Sequence, residues 1–289
     1  MQKLEKLFGS IKMPWWKVIV FAVVIAVYTA LINQVPALKG TSMQDIAIGY
    51  EWWILFAIII ITNAKSNLDA ALKTFVFFLI SQPLIFLVEV PFVGWSVMGY
   101  LRLWAPIIVL TFPMAFVGYF MKKDKWWGLL ILTTMLAFLG YHYYGYFAAA
   151  RFYFPHHLAS AVFCVVSMFL FVLGIFKNKK LKLVGVIINV VILISATVIA
   201  LMNPTVLHTT LVGDGGSEGA VVKKDYTAEL ENSSLGSVKI IYDEGYDGYL
   251  VDAAFVKGGK TVLTITAPDG KKQLFDVNIN EDGAHVNAK

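Results

Sequence analysis

Seven long apolar runs fall within the first 202 residues, at 15–34, 47–63, 74–90, 104–121, 126–147, 157–176 and 183–202. A helix that crosses a bilayer needs about 20 mostly apolar residues, and each run meets or approaches that length. The second is the weakest. Gln44 and Asp45 precede it and Glu51 interrupts it, although Trp52 to Ile61 is unbroken. This pattern excludes a single water-soluble domain, a disordered chain and a nucleic-acid-binding module. Composition agrees, with 58% of the 289 residues hydrophobic and 15% charged, whereas soluble domains are about half apolar and about a quarter charged.

Charge divides along the same line. Residues 1–202 carry 16 Lys/Arg and 6 Asp/Glu, and residues 203–289 carry 8 and 13. If the N-terminus lies in the cytoplasm, the inner segments hold 13 basic residues, among them Lys65, Lys73, Lys122, Lys123 and Lys177. The outer loops hold only Lys39, Arg102 and Arg151. Basic residues concentrate on the cytoplasmic side of short loops, so this asymmetry predicts an N-in, C-out topology and an extracytoplasmic tail. All eight Trp, from Trp15-Trp16 to Trp126-Trp127, sit at expected span ends. They read as an interfacial belt, not as a ligand cage. The first span reads as a retained anchor. Ahead of it, Leu4, Leu7, Phe8 and Ile11 recur at helical spacing among lysines, as in a helix lying on the inner membrane surface. The single cysteine, Cys164, lies inside an apolar run and reads as a small buried hydrophobe.

From residue 220 the hydrophobic period changes to two. The runs 226–230, 238–242, 249–255, 261–266 and 273–279 are rich in β-formers. Lys257-Gly-Gly-Lys260 and Pro268-Asp-Gly270 separate them as turns. Gly213 to Gly219 reads as a flexible linker. The run Phe255 to Ile279, FVKGGKTVLTITAPDGKKQLFDVNI, resembles the last strands of bacterial immunoglobulin-like surface domains. The resemblance covers about 65 residues and implies a fold, not an activity.

Polar residues at membrane depth are the default candidates for function. Glu89, Arg102, His142, Arg151, His156 and His157 all map to the expected outer side. Two arginines suit a phosphate or carboxylate, and a carboxylate with a histidine suits general acid–base work. An enzyme would then use Glu89, Arg102, His142, Arg151 and His157. The alternative is that Glu89 pairs with an arginine while the histidines sit at headgroup level. Gln82, beside Pro83 in mid-span, marks a carrier reading, which requires a polar cavity reaching that depth. No catalytic signature, metal-ligand spacing or cofactor motif occurs, so no cofactor and no metal site is expected.

The expectation is a bundle of seven transmembrane helices followed by an all-β immunoglobulin-like sandwich in a bacterial cell membrane. The boundaries are 1–14 for an amphipathic cytoplasmic segment, 15–202 for the bundle, 203–219 for the linker and 220–289 for the β domain. The leading function is non-enzymatic: the outer domain binds an envelope or protein partner in assembly or sensing. An outer-face enzyme on a lipid-linked or envelope substrate and a small-molecule carrier are the alternatives. The lipid bilayer is the expected surround, and no nucleic acid is a partner.

Overall fold

The computed structural model describes residues 6–216, 219–280 and 283–289. The chain divides into two compact units, Met1–Tyr146 with Leu158–Ile199, and Phe147–His157 with Ala200–Lys289.

Eight α-helices are described: α1 (Trp15–Gln34), α2 (Ser42–Ile48), α3 (Tyr50–Asn63), α4 (Asn67–Val93), α5 (Leu101–Gly118), α6 (Trp126–Phe152), α7 (Leu158–Ile175) and α8 (Lys179–Met202). Among the described residues, five helical stretches are long and apolar enough to cross a membrane: α1, α4, Trp95–Lys123 containing α5, α7 and α8. Helices α2 and α3 bend by 47° and count as a sixth if taken as one span. The expected run at 126–147 is helical within α6 but falls outside that set. Its closing stretch, Tyr141-His-Tyr-Tyr-Gly-Tyr146, is polar.

Local chemistry fixes these helices. Ser66 caps α4 by accepting from the Asp69 N–H at 3.1 Å, and the Asp69 carboxylate accepts from the Lys65 N–H at 2.9 Å and from Lys73 Nζ at 2.8 Å. Such a reciprocal cap contributes about 1 kcal/mol. The other end of α4 stops at Gly94, whose φ of 81° suits glycine and whose N–H returns to the Val90 carbonyl at 2.9 Å. Pro83 and Pro91 lie inside α4, each removing a backbone donor. At the lysine-bearing end, Lys122 Nζ donates to the Ala64 carbonyl at 2.7 Å and closes the C-terminus of α3. Asp124 accepts from the Lys177 and Asn178 N–H groups at 3.0 Å and orders the start of α8.

The N-terminal segment is anchored to the helical unit through Phe8. Phe8 is buried in the bundle core, edge-on to Phe171 at 5.9 Å, and Gly174 leaves the space it fills. Asn63 holds the segment by donating to the Leu7 carbonyl and accepting from the Ile11 N–H, each at 2.7 Å. Burying a phenylalanine against protein is favourable, so its apolar face turns inward. Leu4 and Lys3 lie outside the described residues.

The second unit contains two antiparallel sheets. One has the order β1-β4-β3, with β1 (Leu207–Gly213), β3 (Gly236–Asp243) and β4 (Gly248–Phe255). The other has the order β2-β5-β6-β7, with β2 (Thr227–Leu230), β5 (Gly259–Thr266), β6 (Lys272–Asn280) and β7 (Gly283–Ala288). Val251, Phe255, Leu263, Ile265, Phe275 and Val277 fill one core from both sheets. The β5–β6 register places Leu263 opposite Phe275, and the turn between them closes through Gly270 at φ 84°.

Two boundaries move. The stretch 203–219 carries β1, which pairs with β4 from Leu207↔Phe255 to Gly213↔Leu250. The glycines after it form a hydrogen-bonded turn, with Gly215 donating to the Ala220 carbonyl at 3.1 Å. The β unit also includes residues 147–157. Phe152 enters its core, and its carbonyl accepts from the Gly258 N–H at 2.8 Å.

Candidate functional site

A cavity of about 970 Å³ opens in the helical unit, at the end where α1 and α4 finish and α5 begins. Its walls combine Trp53, Ile85, Phe86 and Trp104 with Asn33, Gln82, Glu89 and Arg102. The helical period explains the α4 face: residues 82, 85, 86 and 89 follow the i, i+3, i+4, i+7 pattern. Gln82 lies two turns from Glu89, about 10.5 Å along the axis.

Glu89 is 3% exposed, and its Oε1 accepts from Asn33 Nδ2 at 2.7 Å. Asn33 Oδ1 accepts from Gln44 Nε2 at 2.8 Å, and Gln44 Oε1 accepts from the Gly40 N–H at 2.9 Å. Gln82 is 1% exposed, and its amide nitrogen has no hydrogen-bond partner among the described residues. Arg102 is exposed. Among the described residues, no ion pair within 4 Å joins it to Glu89. The expected Glu89–arginine pair is therefore replaced by an amide relay.

The tryptophans divide. Trp15, Trp16, Trp95, Trp126 and Trp127 are exposed, as an interfacial belt requires. Trp53 is buried and faces Trp104 across 6.5 Å, and both line the cavity. Position at a span end alone does not separate an anchor from a wall.

His142 belongs to a different cluster. Its Nδ1 lies 3.4 Å from Glu51 Oε2, and Tyr146 donates to Glu51 Oε1 at 2.8 Å. Glu51 is fully buried at the bend between α2 and α3, beneath Gly49, where a Cβ would collide with the carboxylate. On α2, Asp45 accepts from Ser160 of α7 at 2.8 Å. Glu51 reads in the sequence only as an interruption. Its position in the first turn of α3 is the signal that identifies it as a helix-terminus acid.

Arg151 and His157 belong to the other unit. Arg151 Nη1 donates to the Ala200 carbonyl at 2.7 Å, and His157 adopts a φ of 63°. Of the five candidate catalytic residues, the cavity therefore gathers Glu89 and Arg102, with Gln82 added from the carrier reading. Asn33 and Gln44 are uncharged and stand near span ends, so the sequence carries no signal that joins them to Glu89. Among the described residues, no group of three or more His, Cys, Asp or Glu side chains is placed to hold a metal ion.

Comparison with protein-family models, with curated proteins and with solved structures finds no match to this chain.

Proposed function

We propose that the chain is a seven-span membrane protein, N-terminus inside and β unit outside, whose bundle binds or carries a small amphiphilic molecule in the cavity at its outer end. The observation that carries this reading is the cavity itself, whose walls extend to Gln82, a buried residue whose amide nitrogen has no hydrogen-bond partner among the described residues. An apolar pocket with a few convergent polar groups is the usual form of a small-molecule site. Binding is favoured over catalysis because Glu89 and Arg102 share the cavity without a histidine beside them. Helical segments at all seven expected positions and lysines at alternate connections support the topology. The cell membrane of a bacterium is the setting, on the resemblance of the tail to bacterial surface domains. Two antiparallel sheets around one core also support an immunoglobulin-like unit that meets an envelope or protein partner.

Thiol labelling tests both parts. In a Cys164→Ala background, single cysteines are placed by Ser234→Cys, Lys123→Cys and Gln82→Cys. A small membrane-impermeant reagent on intact cells is expected to label positions 234 and 82 and to spare 123. Labelling at 123 with protection at 234 overturns the orientation. An unreactive position 82 in detergent-solubilised protein overturns the open cavity.

A further inference from the structure

The amide relay fixes which way each group points. A backbone N–H only donates, so Gly40 sets Gln44 Oε1 as the acceptor. Gln44 Nε2 then donates to Asn33 Oδ1, which leaves Asn33 Nδ2 to donate to Glu89. Each partner in this chain is neutral. The relay therefore holds the Glu89 carboxyl in the wall through neutral donors alone. No cation of the chain pairs with it within 4 Å among the described residues, so a cation from outside the chain would meet no competitor there.

The surroundings specify the kind of cation. Phe86, one turn before Glu89, stacks with Tyr100 at 6.5 Å and 23°, and both rings line the cavity. Aromatic rings in the same wall as a carboxyl group suit an ammonium group. Arg102 lines the same cavity and forms no ion pair within 4 Å among the described residues. Its planar fork suits a phosphate or a carboxylate. Gln82 lines the cavity two turns deeper, with a buried amide nitrogen that has no hydrogen-bond partner among the described residues.

We infer that the cavity recognises a zwitterion: an ammonium group at Glu89 and an anionic group at Arg102, on one molecule with an apolar body. This rests on the cavity being a binding site, as proposed above. A ligand with one charge leaves either Glu89 or Arg102 without a matching group. The same chemistry is found in a zwitterionic phospholipid headgroup and in a free amino acid with an apolar side chain.

Calorimetric titration of the full chain in a non-ionic sugar detergent tests the assignment. The probes are lysophosphatidylethanolamine, lysophosphatidic acid and an alkylamine of matched chain length, with free phenylalanine as the water-soluble zwitterion. A zwitterionic probe is expected to bind about ten-fold or more tightly than either singly charged amphiphile. Glu89→Gln, which keeps the acceptor for Asn33, and Arg102→Gln are each expected to weaken it about ten-fold. Lys125→Gln, remote from the cavity, leaves binding unchanged. Preference for the lysolipid assigns a bilayer source, and preference for phenylalanine assigns a free solute. Either result supports the inference. Equal binding of the alkylamine or of lysophosphatidic acid, with no loss in Arg102→Gln or Glu89→Gln respectively, overturns it. If no probe binds while a thiol at position 82 is reactive, the zwitterion assignment fails and the cavity reading stands. If that thiol is also unreactive, both fail.

Discussion

In the helical unit, Glu51, Trp52, Thr74, Ser81, Gln82, Ser167 and Asn189 each bury a side-chain atom that lacks a hydrogen-bond partner. In the β unit, the sole buried polar side chain among the described residues is Thr261, which accepts from the Asn232 N–H at 3.0 Å. An unsatisfied buried group costs about 1–3 kcal/mol. The sandwich thus matches an assembly selected for closure, and the bundle carries polar capacity that its own side chains leave unused. Carrying such groups is characteristic of functional regions, where stability is traded for binding.

The strongest way to break this contrast is to open the closed unit. Phe255 is fully buried between the sheets. Phe255→Ala is expected to cost about 3–5 kcal/mol. Limited proteolysis of the full chain should then cleave within residues 200–289 while the helical unit stays intact. Resistance equal to the wild type would show that the sandwich core does not limit the stability of that unit.

A smaller change of opposite sign is expected in the bundle. Gln82→Leu removes the unpartnered amide at nearly constant volume, and a gain of about 1–2 kcal/mol is expected, read as a higher melting temperature in detergent. A loss of stability would mean that Gln82 is satisfied in the folded protein, and the contrast between the units would narrow.

The smallest effect lies on the sandwich surface. Tyr242 donates to Asp247 at 2.6 Å, which raises the phenol above its ordinary ionisation range. The hydrogen bond favours the protonated phenol, so it persists as pH rises and is lost only when the raised ionisation is passed. Asp247→Asn is expected to move the ultraviolet titration of this tyrosine to lower pH. No movement would remove the carboxylate as its cause.

The two units were also unequally legible. Strands β2 to β6 stand out because alternation and the Pro268-Asp-Gly270 turn are local signals. Strand β1 was hidden. It follows α8 closely, and a bulge between Thr210 and Val212 breaks its alternation. In the bundle, Glu89, Arg102 and Gln82 are visible because polarity is rare inside apolar runs. Their company is not visible. Helical phase does not reveal that Asn33 turns toward Glu89, 56 residues on, or that Tyr146 reaches back 95 residues to Glu51. Nor does it separate His142 from Glu89, since both map to one expected side of the membrane.

The bend between α2 and α3 also constrains how the chain can vary. The carboxylate of Glu51 occupies the space that any side chain at Gly49 would need, and the Asp45 carbonyl closes the other side at 2.7 Å. Positions 49 and 51 therefore share one volume. A shorter residue at 51 would vacate one side of that volume and remove the acceptor that Tyr146 uses, but the Asp45 carbonyl would still block a side chain at 49. The bend therefore holds glycine at 49 whatever stands at 51, and change at 51 reaches a distant helix instead.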